Sequence, residues 1–551
     1  MNANSLGRIV EIPPERKAIG SKWVYRVKTT SSGELDKLKS RLVALGNRQV
    51  YGIDYADTYA PVARHETVNL VLTIIAGFDF EAECLDVCSA FLGSPLEEGY
   101  EVYLRMPQGV DFDFTKVEVI LERVKEQAEK NCQSWAVLLK KSIYGLKQSP
   151  RQWYKTVTNY LSGLGFVATS FDPGLLYYRS GSSLMVIVLF VDDLLLASSS
   201  SKLLRQVKSR FCGHFKVTES GDLSSYIGLK IKRHHAMRTI TISQRSYLES
   251  ILERFGFQES RSVATPLEKG FSLFPSGPED TPCNRQLYQE AVGSLMYATT
   301  TTRPDLAYTV GVLARFSHDP SERHWAGVKR VFRYLRGTLD LGLTFGGDLT
   351  QLEGFTGAQF RAGKLVGYAD SDWGGDPVTV KSTSGYAARL GTKGKVSWRS
   401  TRQPTCSQST AEAEYVACAH AVSQLEWMRG LLTEIGFEHL IGEPRLHPSQ
   451  VVDKTHSAYF DITPPKFTTI LYCDNQACIA NIGDRHIKTS HKSIGVKYHG
   501  MRDRVARGEV GLRYCETGQM VADGFTKALA GDGYRRFLEL IGMVRQGETM
   551  C

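Results

Sequence analysis

Leu184-Met-Val-Ile-Val-Leu-Phe-Val-Asp-Asp-Leu-Leu-Leu-Ala197 is the most hydrophobic run in the chain, and two aspartates interrupt it. It is too short and too charged to cross a membrane, which takes roughly 20 apolar residues. Its β-branched first half and apolar second half predict a hairpin buried on both sides, with Asp192 and Asp193 at the turn. Adjacent carboxylates at a buried turn repel each other and lose hydration. A surface turn also favours Asp, but it needs no such length of buried strand. A divalent cation resolves the conflict, and a two-metal site draws acids from separate segments. Asp86, in Glu83-Cys-Leu-Asp-Val-Cys-Ser-Ala-Phe91, is the upstream candidate.

Outward from that run the chain is ordinary in composition. It has 551 residues, enough for about three or four domains at roughly 100–200 residues each. Hydrophobic residues are 42% and charged residues 23%, which excludes a wholly disordered or collagen-like chain. Lys and Arg total 67 against 58 acids, a formal charge of +9. That excess is compatible with a polyanionic partner and does not establish one. None of the 11 cysteines has C-x2-C spacing, which argues against zinc ribbons, zinc knuckles and thioredoxin-type motifs. The scattered, odd-numbered set fits reduced thiols inside the cell. Residues 1–10 show no apolar signal core, so secretion is not expected.

Helices are expected at 66–77 and 151–165, a charged exposed helix at 117–131, and a linker at 265–282. Residues 287–343 read as largely helical, and 438–467 as a polar insertion. In the helix 324–337, Lys329, Arg330, Arg333 and Arg336 lie largely away from an apolar face. Such a basic face is either solvated or in contact with a nucleic-acid backbone.

The last third repeats the acidic theme. Asp370 follows the short strand in Gly367-Tyr-Ala-Asp-Ser-Asp-Trp373, and Asp474 ends Leu471-Tyr-Cys-Asp-Asn-Gln476. Ser409-Thr-Ala-Glu-Ala-Glu-Tyr415 opens a helix, and Asp523 sits in Val521-Ala-Asp-Gly-Phe-Thr-Lys527. Ser409 and Glu412 have capping-box spacing, so Glu412 is expected to accept the N-cap backbone N–H. Glu414 lies about 200° around the helix from Glu412, so only one of them faces the site, and Glu414 is preferred. Asp372 competes with Asp370, which is preferred because it directly follows the strand. The order strand-Asp, helix-Glu, strand-Asp, late Asp suits a two-metal nuclease.

Several blocks, in order, resemble copia-type LTR-retrotransposon reverse transcriptases. They are Lys39-Ser-Arg-Leu-Val-Ala-Leu-Gly46, Asp86-Val-Cys-Ser-Ala-Phe-Leu92, Tyr144-Gly-Leu-Lys-Gln-Ser-Pro-Arg151, Phe190-Val-Asp-Asp193 and Tyr226-Ile-Gly-Leu-Lys-Ile231. The last third resembles the RNase H domain of the same elements, through Lys381-Ser-Thr-Ser-Gly-Tyr386, Thr410-Ala-Glu-Ala-Glu-Tyr415, Asp474-Asn-Gln476 and Ala522-Asp-Gly-Phe-Thr-Lys527. One block departs: Lys492-Ser-Ile-Gly495 stands where the family tends to have Lys-His-Ile-Asp.

The resemblance implies an α/β and α+β multidomain chain. Its parts would be a fingers-and-palm reverse transcriptase over 1–268, a helical thumb or connection region over 269–363, and an RNase H-like α/β domain over 364–551. It implies RNA-directed DNA polymerisation on Asp86, Asp192 and Asp193, and hydrolysis of the hybrid's RNA on Asp370, Glu414, Asp474 and Asp523. Each site would hold two Mg²⁺ ions, with Mn²⁺ as the alternative ion. Lys39, Arg41, Tyr144, Gly145 and Lys147 would line the nucleotide site, and Phe91 would exclude a ribose 2′-hydroxyl. Gly145 would let the backbone come near the nascent base pair. Position between the two sites favours template–primer contact by Lys329, Arg330, Arg333 and Arg336.

Partners would be RNA template, DNA primer, RNA/DNA hybrid and dNTPs, with no membrane. The place of action would be the cytoplasm, in a virus-like particle, or the nucleus. The chain would be a Pol fragment, with capsid, protease and integrase parts elsewhere. The alternative is an inactive or domesticated relic that binds nucleic acid without chemistry.

Overall fold

The run 184–197 forms an antiparallel hairpin of β9 (Ser183–Phe190) and β10 (Asp193–Ser198), with Asp193 opposite Phe190. Leu184, Val186 and Val188 join Leu195 and Ala197 in one core, while Met185, Ile187, Leu189, Leu194 and Leu196 join another. Side chains of a strand alternate between faces, so a strand covered on both faces is apolar throughout. The computed structural model describes residues 6–29, 35–107, 135–271, 273–350, 363–444, 466–483 and 500–545. The expected helix at 117–131, most of the 438–467 insertion and the departing block at 492–495 lie outside the described residues.

The hairpin is the centre of a six-stranded sheet. Its order is β11 (Val217–Asp222), β4 (Glu81–Val87), β10, β9, β8 (Leu175–Ser180), β7 (Val167–Ala168). One face carries α2 (Ser149–Gly163) and α3 (Ser201–His214), through Trp153, Val157, Leu161, Leu204 and Phe211. Pro150 stands in the first turn of α2, where a missing N–H costs nothing. The other face carries α1 (His65–Phe78). N-terminal to this palm, β1 (Gly7–Glu11), β6 (Trp135–Leu139) and β5 (Tyr103–Arg105) form a small sheet. β2 (Ser21–Thr29) and β3 (Leu35–Ala44) form a separate ribbon.

Helices α4 (Arg245–Phe255), α5 (Arg285–Thr301), α6 (Ala307–Ala314) and α7 (Glu322–Arg336) follow. The stretch 287–343 is not helical to its end, because β15 (Leu341–Gly346) is a strand. It joins β12 (Ser225–Tyr226), β13 (Leu229–His234), β14 (Thr239–Ser243) and β22 (Met543–Arg545) in one sheet, in the order β12-β13-β14-β15-β22. That sheet takes strands from all three expected regions.

The C-terminal sheet runs β18 (Ser397–Arg402), β17 (Thr383–Arg389), β16 (Val366–Ser371), β20 (Phe467–Cys473), β19 (Glu443–Pro444), with β21 (Val510–Tyr514) also on β20. β16, β17 and β18 are antiparallel, while β20 is parallel to both β16 and β21. The long α8 (Thr410–Glu434) packs on β16 and β17. α9 (Gln476–Gly483), α10 (Gly500–Arg507) and α11 (Gly531–Ile541) complete this C-terminal α/β unit. Among the described residues no helix is long and apolar enough to cross a membrane.

Candidate active sites

At the palm hairpin, Asp193 stands directly opposite Asp86 across β10 and β4. Opposed residues point to the same face, so these two carboxylates are neighbours. Asp192 occupies the two-residue turn after Val191, whose φ of 58° is costly for a β-branched side chain. The turn is pinned from two sides. Trp153 Nε1 donates to the Val191 carbonyl at 2.5 Å, and the Val87 N–H donates to the Asp192 carbonyl at 2.9 Å. Burial, then Asp192 and Asp86, pushes the Asp193 carboxyl up to about 6. The three acids are not drawn into one tight cluster. Among the described residues, every set of three ligand atoms within 4.8 Å of one another lies in the C-terminal unit.

Beside these acids Phe91 and Tyr144 pack edge to face at 5.2 Å, and the Arg41 guanidinium lies 5.4 Å from the Tyr144 ring. Arg41 Nε is buried without a hydrogen-bond partner. Lys39 is half-buried on the same ribbon, opposite Arg26. Lys147 donates to the Tyr55 hydroxyl at 2.9 Å, and its backbone N–H donates to Gln49 Oε1 at 2.8 Å. Gly145 also has a structural reason. Its φ is 91°, and a Cβ there would sit 2.2 Å from the Ala44 carbonyl oxygen. Its missing side chain lets the 144–145 backbone dock on the end of β3, where the Ala44 N–H donates to the Tyr144 carbonyl at 2.7 Å.

The second set converges more closely. Asp370 ends β16, Asp474 follows β20, and Asp523 lies in the 3-10 turn Val521–Phe525. Ligand atoms of these three lie within 4.8 Å of one another, as do those of Glu414, Cys473 and Asp474. Gly385 on β17 permits the approach of the 3-10 turn, since a Cβ there would be 2.9 Å from the Ala522 carbonyl oxygen. Glu414 Oε1 accepts the Ser371 N–H at 3.1 Å, and the Thr526 hydroxyl donates to Asp370. Asp523 Oδ2 pairs with Lys527 at 2.9 Å, while its Oδ1 is buried with no partner. Burial and then Asp523 push the Asp370 carboxyl up to about 7, and burial and then Asp370 push Glu414 up to about 10. Asp474 is raised as well, first by burial. A buried acidic oxygen without a donor, among carboxylates that resist ionisation together, is a donor set suited to hard divalent cations.

Glu412 is at the helix start: its N–H donates to Ser409 Oγ at 3.2 Å, and its carboxylate accepts the Gln408 N–H at 2.8 Å. Asp372 accepts the backbone N–H of Thr383 and stands outside both triples. Of the four basic residues singled out on α7, three are tied down within the chain. Lys329 pairs with Glu322 at 3.8 Å, Arg330 with Glu268 at 2.5 Å, and Arg336 donates to the Gln258 carbonyl. Arg333 is exposed. Sequence reasoning gave no role to Trp153, Thr526 or Lys527. Trp153 stands beside the Tyr144–Arg151 block, Thr526 and Lys527 close the Ala522–Lys527 block, and Lys527 lies four residues after Asp523.

A six-stranded sheet with three acids at and beside its central hairpin is the architecture of the reverse transcriptase class. Residues 4–269 match the family model described as reverse transcriptase (RNA-dependent DNA polymerase). The chain is 32% identical over 98% of its length to the retrovirus-related Pol polyprotein from transposon TNT 1-94 of Nicotiana tabacum, covering 37% of that protein. It is 31% identical over 97% of its length to the Pol polyprotein from transposon RE2 of Arabidopsis thaliana, covering 32% of it. A crystal structure of prototype foamy virus protease-reverse transcriptase aligns with 95% of this chain and 53% of its own, at 12% identity and a TM-score of 0.21, too low to bear on the fold. The chain thus carries a reverse transcriptase domain at 4–269 and is similar along nearly its whole length to Pol polyproteins of copia-type transposons. It spans about a third of the length of these relatives.

Proposed function

We propose that this chain is an RNA-directed DNA polymerase fused to a ribonuclease H, each site working with two Mg²⁺ ions or Mn²⁺ in their place. The observation that carries the polymerase reading is the register of Asp193 against Asp86, with Asp192 in the pinned turn between β9 and β10. Asp86, Asp192 and Asp193 would hold the ions at the palm; Asp370, Glu414, Asp474 and Asp523 would hold them at the nuclease site. Bound divalent ions supply Lewis-acid activation of the attacking oxygen and charge stabilisation at the leaving oxygen.

The chain's own residues do the positioning. Arg41, its guanidinium over the Tyr144 ring, is the cation for a triphosphate, and Arg is suited to bidentate phosphate contact. Phe91, braced edge-on by Tyr144, walls the sugar side and disfavours a ribose 2′-hydroxyl. Trp153 holds the Asp192 turn in place through the Val191 carbonyl. Substrates are an RNA template, a DNA primer and dNTPs, then the RNA/DNA hybrid. Arg333, exposed on α7, is the basic residue of that helix best placed to meet a nucleic-acid backbone.

Primer extension on an RNA template and cleavage of a labelled hybrid test both halves in one preparation. Asp192→Asn is expected to abolish extension and spare cleavage, and Asp474→Asn to do the reverse. Loss of both activities from either substitution sinks the two-site reading. A chain that shifts a hybrid probe but does neither chemistry is the inactive relic.

A further inference from the structure

Three buried thiols sit directly behind the nuclease acids. Cys418 comes from α8, Cys473 is the last residue of β20, and Cys478 lies in the first turn of α9. All three are fully buried, and their sulfur atoms lie within 4.8 Å of one another. They hydrogen-bond among themselves. Three thiols from three separate elements form a pocket of ligands, unlike a lone core cysteine, which acts as a small apolar side chain.

A fourth ligand is in reach. Glu414 is one helical turn before Cys418, so the two share a face of α8. Its Oε2 is 3.9 Å from Cys473 Sγ. Tetrahedral zinc with Zn–S bonds of about 2.3 Å sets its ligand sulfurs about 3.8 Å apart, so thiols within 4.8 Å need only a small inward shift. Thiolates select zinc-like ions, whereas Mg²⁺ takes oxygen ligands. The two ligand sets therefore sort ions by softness, and Glu414 belongs to both.

We propose that Cys418, Cys473 and Cys478, with Glu414, form a site for one thiophilic divalent ion of the zinc type, and that its occupation draws Glu414 away from the Mg²⁺ site and switches off hybrid cleavage. The thiol protons and the proton held by the Glu414 carboxyl leave to solvent as the ion binds. Ion binding stands on the thiol geometry alone; the inhibition rests on the nuclease reading above.

The test uses the full chain, reduced and stripped of metal, with Co²⁺ as the probe and Zn²⁺ as its competitor. One equivalent of Co²⁺ is expected to give a sulfur-to-cobalt charge-transfer band that Zn²⁺ displaces. Cys418→Ala and Cys478→Ala are each expected to lose the stoichiometric site, so that the band does not form at one equivalent, and Cys84→Ala, in the palm, to keep it whole. Cys418→Ser and Cys478→Ser serve where an alanine variant does not fold. Zn²⁺ at one equivalent should suppress Mg²⁺-supported cleavage in the parent chain and leave it in Cys478→Ala, with primer extension unchanged in both. No band at one equivalent, or an undiminished band in the Cys478 and Cys418 variants, overturns the site. The expected band with unaltered cleavage keeps the site and overturns the inhibition. A chain that cleaves no hybrid in Mg²⁺ alone refutes the nuclease reading, and the cobalt band then decides the thiol site by itself.

Discussion

Asp370 is nearly buried and faces Asp523, so without a cation it is an acid held where it does not readily ionise. Its carboxyl is raised to about 7 from an ordinary 3.8. The metal-free fold therefore binds this proton more tightly than the unfolded chain does. Stability from this group is fullest below about pH 4 and is lost as pH rises through 7. Each unit of upward shift withdraws about 1.4 kcal/mol at neutral pH. In a chelator, thermal melts are expected to fall between pH 5 and 7.5, and less steeply in Asp370→Asn. Mg²⁺ should raise the melting temperature more at pH 7.5 than at pH 5. A parent and a variant with parallel pH curves would contradict the assignment of this cluster as the cause.

Asp370, Asp474 and Glu414 were legible because each follows an apolar strand or a capping signal, which are local patterns, whereas Asp523, in a 3-10 turn, was legible only through the resemblance of its block. Trp153 and Thr526 were not legible, because what they do depends on partners brought near by the fold: the Val191 carbonyl and the Asp370 carboxylate.

At the scale of elements, the junction between the β2–β3 ribbon and the palm rests on Gly145. Its φ of 91° and the 2.2 Å approach to the Ala44 carbonyl both forbid a side chain. Gly145→Ala is expected to destabilise the junction by about 1–2 kcal/mol from the left-handed backbone alone, with the clash in addition. Since Tyr144 and Arg41 are set by this junction, the KM for dNTP should rise while hybrid cleavage is spared. Steady-state extension kinetics beside a cleavage assay would show the split, and unchanged dNTP affinity would refute it. The hairpin of β9 and β10 was readable because its β-branched, apolar run admits few alternatives. β15 was not readable as a strand. Leu341-Gly-Leu-Thr-Phe-Gly346 takes its extended form from β14, about a hundred positions earlier, and from β22, about two hundred later.

Across the whole molecule, the two candidate active sites are chemically separate but mechanically joined. The sheet β12-β13-β14-β15-β22 draws strands from the palm side, the connection and the C-terminus. Beside it lies a fully buried polar hub. Arg303 donates to both carboxylate oxygens of Asp305 at 2.9 and 2.7 Å, and to the Thr338 carbonyl at 3.1 Å. Tyr334 donates to Asp305 at 2.7 Å, and the hydroxyls of Tyr334 and Tyr534 are 2.9 Å apart. Tyr534 lies on α11, so the hub links the helices between the two units to the end of the C-terminal unit. Replacing one partner of a buried pair leaves the other charge uncompensated, which costs about 3–5 kcal/mol. Asp305→Ala, which touches neither set of acids, is therefore expected to lower the melting temperature and to shorten the thermal half-lives of extension and cleavage together. Asp192→Asn and Asp474→Asn, by contrast, should each remove one activity and leave the melt cooperative. Incubating the Asp305→Ala chain at graded temperatures and assaying both reactions on the same aliquots decides the matter. Cleavage that outlasts extension by a wide margin would mean that the shared sheet and hub do not couple the two units.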